Sequence, residues 1–101
     1  MKRVKGYVYI LVNRKNGAIY VGVTKDLHVR LLEHKSHADP ESFTARYGVT
    51  TLVHLEVYDL VADAIAREKQ LKNWKREWKI ALWEESNPDW AELKLDWQDL
   101  E

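Results

Sequence analysis

The sequence predicts a small α/β domain, of the kind that sets one antiparallel sheet beside helices. Three observations predict it. Lys5–Val12 and Ala18–Val23 are apolar, β-branched and aromatic runs on either side of an Asn16-Gly17 turn signal, the pattern of an antiparallel hairpin. Thr51–Tyr58 is a third run of strand character. Between and after these strands, residues 27–37 and 61–72 carry apolar side chains at helical spacing. At 101 residues the chain has room for one domain with a modest core.

The hairpin organises the rest. Side chains alternate faces along a strand, so Tyr7, Tyr9 and Leu11 share one face of the first strand, and Ala18, Tyr20 and Gly22 one face of the second. Either closure of the turn puts Tyr9, Tyr20 and Gly22 on a common face. The wider register sets Gly22 opposite Tyr9 and leaves a gap beside its ring.

Asp26 is placed as the N-cap of a first helix over residues 27–37. Arg30 and His34 stand four residues apart on one face of it. Residues 36–42, with Pro40, form a loop by composition. Phe43–Tyr47 reads as a short helical piece ended by Gly48. In the third strand Val53, Leu55 and Val57 are expected to form the apolar face, with His54 and Glu56 opposite. Asp59 is the expected cap of a second long helix, whose apolar line is Val61, Ala64, Ile65 and Leu71. Glu68 lies on that line. A carboxylate aimed towards a core needs a partner: either an ion pair, with Arg30 as a candidate, or a metal ion. Helix continues after a break near Asn73, with Trp74 and Trp78 facing the core, and ends before Pro88.

Residues 1–85 are expected to form the domain, and residues 86–101 an acidic, Trp-containing tail packed on it. Trp83, Trp90 and Trp97 recur every seven residues and provide the packing stripe. Formal charge is zero overall and uneven along the chain. Residues 1–50 hold nine Lys/Arg against four Asp/Glu, and residues 81–101 one against seven. A basic working half and an acidic tail follow, and the basic half suits a phosphate backbone. With no cysteine, disulfides and thiolate chemistry are excluded. The basic N-terminus leads into a strand too short to span a membrane, and the cytoplasm is the expected compartment.

Tyr7-Val8-Tyr9 and Tyr20-Val21-Gly22 resemble the two signature tripeptides of the GIY-YIG nuclease family, with Tyr7 where the family has Gly. Asp26-Leu27, Arg30 and His34 are similar to its first helix. Ala66–Lys72 is similar to the helix carrying its single metal-binding Glu, matched by Glu68. The resemblance covers nearly the whole chain and is closest to small, single-domain bacterial members. It implies a three-stranded antiparallel sheet flanked by helices. It also implies a metal-dependent endonuclease that hydrolyses phosphodiesters, DNA before RNA, with structure-based choice of substrate as in repair or recombination.

The roles implied are specific. Glu68 would hold Mg²⁺ or Mn²⁺, and Mg²⁺ often takes only one or two protein carboxylates. Tyr20 would help deprotonate the attacking water. A free phenol titrates near 10, so that role needs a neighbouring positive charge. Tyr9 would orient water or phosphate, Arg30 would stabilise the pentacovalent charge, and His34 would carry a proton or donate to phosphate. The choice of base among Tyr9, Tyr20 and His34 stays open. Asn87 is a weak match to a late Asn of the family's site. Lys25, Arg46, Lys72 and Lys75 are the candidate backbone contacts. Two other readings stand beside this one: a non-catalytic nucleic-acid-binding accessory module that keeps the fold, and a protein-interaction domain working through the tail.

Overall fold

A computed structural model describes residues 3–36 and 39–96. Three strands form one antiparallel sheet in the order β2-β1-β3: β1 Gly6–Val12, β2 Ile19–Thr24 and β3 Thr51–Tyr58. Helices α1 Leu27–Ser36, α2 Phe43–Tyr47, α3 Val61–Lys72 and α4 Arg76–Ile80 complete the domain. The wider hairpin register is the one formed: Val12 pairs with Ile19, and Tyr9 with Gly22. The turn is held by Asn13, whose Oδ1 accepts from the Ala18 N–H at 2.9 Å.

β1 is the central strand, and all seven of its residues are buried. Its alternation divides the core in two. Val8, Ile10 and Val12 face a cluster with Val21, Ala64, Leu71, Trp83 and Trp90, beneath α3 and the segment after α4. Tyr7, Tyr9 and Leu11 face the other cluster with Leu27, Leu31, Val49 and Leu52, beneath α1. Gly6 permits the first packing, because a Cβ there would strike Val61 and Ala64 of α3.

Several expectations are corrected. The apolar face expected of β3 is split. A register shift between Ile10 and Leu11 carries partners from His54 to Leu52 and leaves Val53 as an extra residue. Val53 therefore joins the α3-side core, while Leu55 packs on the α1 side. His54 and Glu56 are half-buried rather than plain strand surface. Glu56 accepts from Arg67 Nε at 2.9 Å, from the Tyr58 hydroxyl at 2.6 Å and bonds His54 Nε2 at 2.8 Å. Burial opposes its charge, yet these three partners outweigh burial and pull its pKa down to about 2. Asp59 does not cap α3. Leu60 stands at the cap without a side-chain bond, and the Val61 N–H finds the Val4 carbonyl at 2.7 Å. Ile65 and Trp78 are exposed. Helix breaks at Asn73 and restarts as α4, and Trp78 meets the Trp74 ring edge-on instead of entering the core.

Residues 86–96 pack against both cores. Trp83 and Trp90 meet edge-to-face at 5.2 Å, and Trp90 Nε1 donates to Glu84 at 2.9 Å. Asn87 makes a clamp on Ala91, accepting from its N–H and donating to its carbonyl. Glu92 then accepts from the Leu52 N–H at 2.6 Å, and the Leu93 N–H donates to the Leu52 carbonyl at 2.8 Å. Leu93 and Leu95 cover the α1-side core. Trp97, the third tryptophan of the expected stripe, lies outside the described residues.

Removing a buried aromatic ring costs about 3–5 kcal/mol. Trp90→Ala is expected to lower the urea midpoint by that order at unchanged slope. A midpoint equal to wild type would show that the segment is not part of the core.

Candidate active site

Four of the singled-out side chains converge where β1, β2 and α1 meet. Tyr9 projects from the central strand and is fully buried. Its ring lies across Gly22, where any Cβ would overlap it. Tyr20 comes from the neighbouring edge strand, with ring centroids 6.2 Å apart. Arg30 and His34 descend from α1, whose start is fixed by the Asp26 carboxylate accepting from the Val29 N–H at 3.2 Å. The i,i+4 spacing brings both to the same phenol. Arg30 Nε donates to the Tyr9 oxygen at 3.3 Å, and that hydroxyl lies 2.9 Å from His34 Nε2.

Donor accounting gives this network a direction. Burial holds the Tyr9 phenol far above its ordinary range, so it keeps its proton at neutral pH. Burial, and then the Arg30 charge, lower His34, which is neutral there. Tyr9 therefore accepts from Arg30 and donates to Nε2. The His34 proton then sits on Nδ1, which donates to the buried Thr44 hydroxyl at 2.9 Å. Thr44 in turn faces Ser42 Oγ at 3.3 Å, and Ser42 caps α2 by accepting from the Ala45 N–H. The chain Arg30–Tyr9–His34–Thr44–Ser42 thus ties α1, β1 and α2 together.

Arg30 is raised above its ordinary value, chiefly by the bond to Tyr9 and further by Glu33, which takes Nη1 at 2.9 Å. It is a permanent cation. Tyr20 is a further side-chain partner, so the guanidinium is shared between both phenols and Glu33. A pocket of about 200 Å³ opens beside it, lined by Tyr20, Arg30, Glu33, His34, Phe43 and Thr44. A fixed cation, a phenol and a histidine line this pocket, with the Tyr9 phenol bonded behind them, and such a set can hold an anionic oxygen, orient a water and pass a proton.

The remaining candidates fall elsewhere. Glu68 is half-buried on α3 and pairs with Lys72 at 3.0 Å, not with Arg30. Among the described residues it makes no hydrogen bond to the tyrosine cluster, and no group of three or more His, Asp or Glu there could hold a metal ion. Lys75 lies over the Trp78 ring, and Lys25 is exposed in the turn before α1. Arg46 stands on α2 beside the pocket, over the Tyr47 ring. Asn87 spends its amide on Ala91. Thr44, Ser42 and Glu33 were not singled out from sequence. Ser42 three residues before Ala45 is a readable cap, but Thr44 meets His34 only through the fold.

Three comparisons bear on this geometry. The family model described as GIY-YIG catalytic domain matches residues 5–81. A UPF0213 protein of Staphylococcus saprophyticus is 32% identical over 77% of this chain and 93% of its own. A UPF0213 protein of Syntrophus aciditrophicus is 36% identical over 77% of this chain and 88% of its own. A solution NMR structure of a UPF0213 protein from Bacillus halodurans is 31% identical, with a TM-score of 0.48 over 77% of this chain and 81% of that one. No helix among the described residues is long and apolar enough to cross a membrane.

Two outcomes follow. Because His34 has a lower pKa folded than unfolded, the unfolded chain binds more protons below the unfolded value of about 6.5. Stability should fall as pH drops from about 6.5 towards the lowered folded pKa, and His34→Gln should flatten that limb of the urea-midpoint curve. An identical limb in the variant would place the titration elsewhere. Gly22→Ala must displace the Tyr9 ring and should cost about 1–3 kcal/mol. An unchanged midpoint would mean that the ring has room the structure does not give it.

Proposed function

The chain belongs to the GIY-YIG catalytic domain family, and from that premise we propose that it is a metal-dependent endonuclease that hydrolyses phosphodiesters in nucleic acid, DNA in preference to RNA. The observation that carries the proposal is the hydrogen-bonded Arg30–Tyr9–His34 unit, whose Arg30 and His34 line one open pocket together with Tyr20. No packing requirement calls for a fully buried phenol held by a cation and a histidine together.

The division of labour follows from the bonds. Arg30 binds the phosphate and neutralises charge that grows on its oxygens. Tyr9, already donating to His34, is an orienting group rather than a base; proton movement through it leads to His34 Nε2. Tyr20, half-buried at the pocket beside Arg30, is the phenol placed at the attacking water, and in its phenolate form it would take that water's proton. His34 is kept in one tautomer by Thr44.

Mg²⁺ or Mn²⁺ would be held by Glu68. Its side chain is 13% exposed while its partner Lys72 is 53% exposed, so the ammonium is the replaceable member of the pair. One shielded carboxylate fits an ion that keeps waters and takes its other ligands from phosphate. Such an ion would supply Lewis-acid neutralisation of a phosphoryl oxygen.

The test is cleavage of branched and single-stranded DNA and RNA, with divalent ion or chelator. Tyr20→Phe and Arg30→Ala should each lose about 10²-fold or more in rate while keeping the wild-type circular dichroism spectrum. Glu68→Ala should behave as wild type does in chelator. Wild-type rates in these folded variants would remove the assigned roles. Salt-sensitive binding without cleavage under any condition would favour an accessory binding module.

A further inference from the structure

Two large aromatic rings lie in the open beside the pocket. Phe43 is 44% exposed and Tyr47 52% exposed, although both belong to a short helix held at each end. Their centroids are 4.8 Å apart. Phe43 lines the pocket and lies nearly parallel to Tyr20, at 25° and 6.3 Å. Arg46 stands over the Tyr47 ring. Aromatic faces thus run outward from the site in the order Tyr20, Phe43, Tyr47, with a cation at the far end.

This row is fixed in place. Ser42 caps the start of α2, and Gly48 in the left-handed conformation closes its end, bonding back to the Ala45 carbonyl. Thr44 fastens the middle to His34. Asn13 of the hairpin turn donates to the Tyr47 carbonyl at 3.2 Å. Burying Phe43 would have removed apolar area from water at a gain of about 25 cal/mol per Å². The exposed rings forgo that gain while the backbone beneath them is pinned.

We propose that Phe43 and Tyr47 form a stacking shelf for an unpaired nucleobase, next to the pocket that takes the phosphate. The proposal rests on the nucleic-acid reading above. Every base offers a π-face to an aromatic ring, and Arg adds a cation–π contribution. In a duplex those faces are covered by neighbouring base pairs, so the shelf selects nucleotides outside a stack. Arg46 adds the positive charge that a strand's backbone requires. The alternative occupant, a second copy of the chain seated on the same shelf, would set Arg46 against its own like charge.

The experiment is equilibrium binding in chelator, so that cleavage plays no part. The probes are a short oligothymidylate, a strand of equal length with abasic residues, and a blunt duplex. Wild type should bind the thymidylate about tenfold or more tighter than the abasic strand. Phe43→Leu and Tyr47→Leu should erase that difference and leave the salt dependence unchanged, and Tyr47→Phe should retain it. Equal binding of thymidylate and abasic strand by wild type would overturn the shelf, and this comparison needs no variant to fold. Preference for the duplex would overturn it too, as would a wild-type dimer that Phe43→Leu converts to monomer without changing binding. Base-dependent binding by a protein that never cleaves would keep the shelf and remove the nuclease reading. Salt-sensitive binding without base dependence would do the reverse.

Discussion

The buried hydroxyl of Tyr9 is the constraint from which the site follows. A phenol oxygen taken out of water must be paired, or it costs the full desolvation penalty of the group. Here one partner gives a proton and the other receives one, and both come from one face of α1. Satisfying Tyr9 therefore fixes the rotation of α1 against the sheet. It also fixes the tautomer of His34, which commits the other ring nitrogen to Thr44 and positions α2. Gly22 is the condition on the strand side, since the ring needs the space a side chain would fill.

A second polar cluster serves stability. Glu56, Arg67, His54 and Tyr58 form a satisfied polar cluster where β3 meets α3, and Arg67 also lies over Trp74 at 4.9 Å. With its carboxylate fully engaged, this cluster holds α3 without any pocket chemistry. Residues 91–93 solve a separate problem. β3 is an edge strand, and an open edge is a template for unwanted pairing. Glu92 and Leu93 take up both polar groups of Leu52 on that edge, and Lys35 pairs with Glu92 at 3.2 Å.

Local rules made much of this legible in advance. The bounds of β3 and α3, the face shared by Tyr9, Tyr20 and Gly22, the cap at Asp26 and the stop at Gly48 all depend on neighbours a few residues away. The convergence of Tyr9, Tyr20, Arg30 and His34 was readable because strand parity and the helical i,i+4 repeat each place side chains on known faces. What escaped depends on contacts far apart in sequence. The extra residue at Val53 is a property of two strands jointly. Trp78 is exposed because the helical repeat is broken between Lys72 and Arg76. Lys72 rather than Arg30 meets Glu68, because the i,i+4 repeat sets those two side chains on one face of the same helix. Thr44 looks like an ordinary loop threonine until α2 folds back over α1.

The position of β1 also divides the site by how readily its parts open. A central strand buried along its whole length and bonded on both sides exchanges its amide hydrogens only when the domain unfolds as a whole. Tyr9 is carried on that strand. Tyr20 rides an edge strand, and Phe43 and Tyr47 a short helix, so their hold rests on a few single bonds: the Ser42 cap, the Thr44–His34 bond and the Asn13 bond to Tyr47. The site thus joins a floor secured by the whole sheet to a wall secured by individual contacts. Loss of one such contact reaches the entrance first.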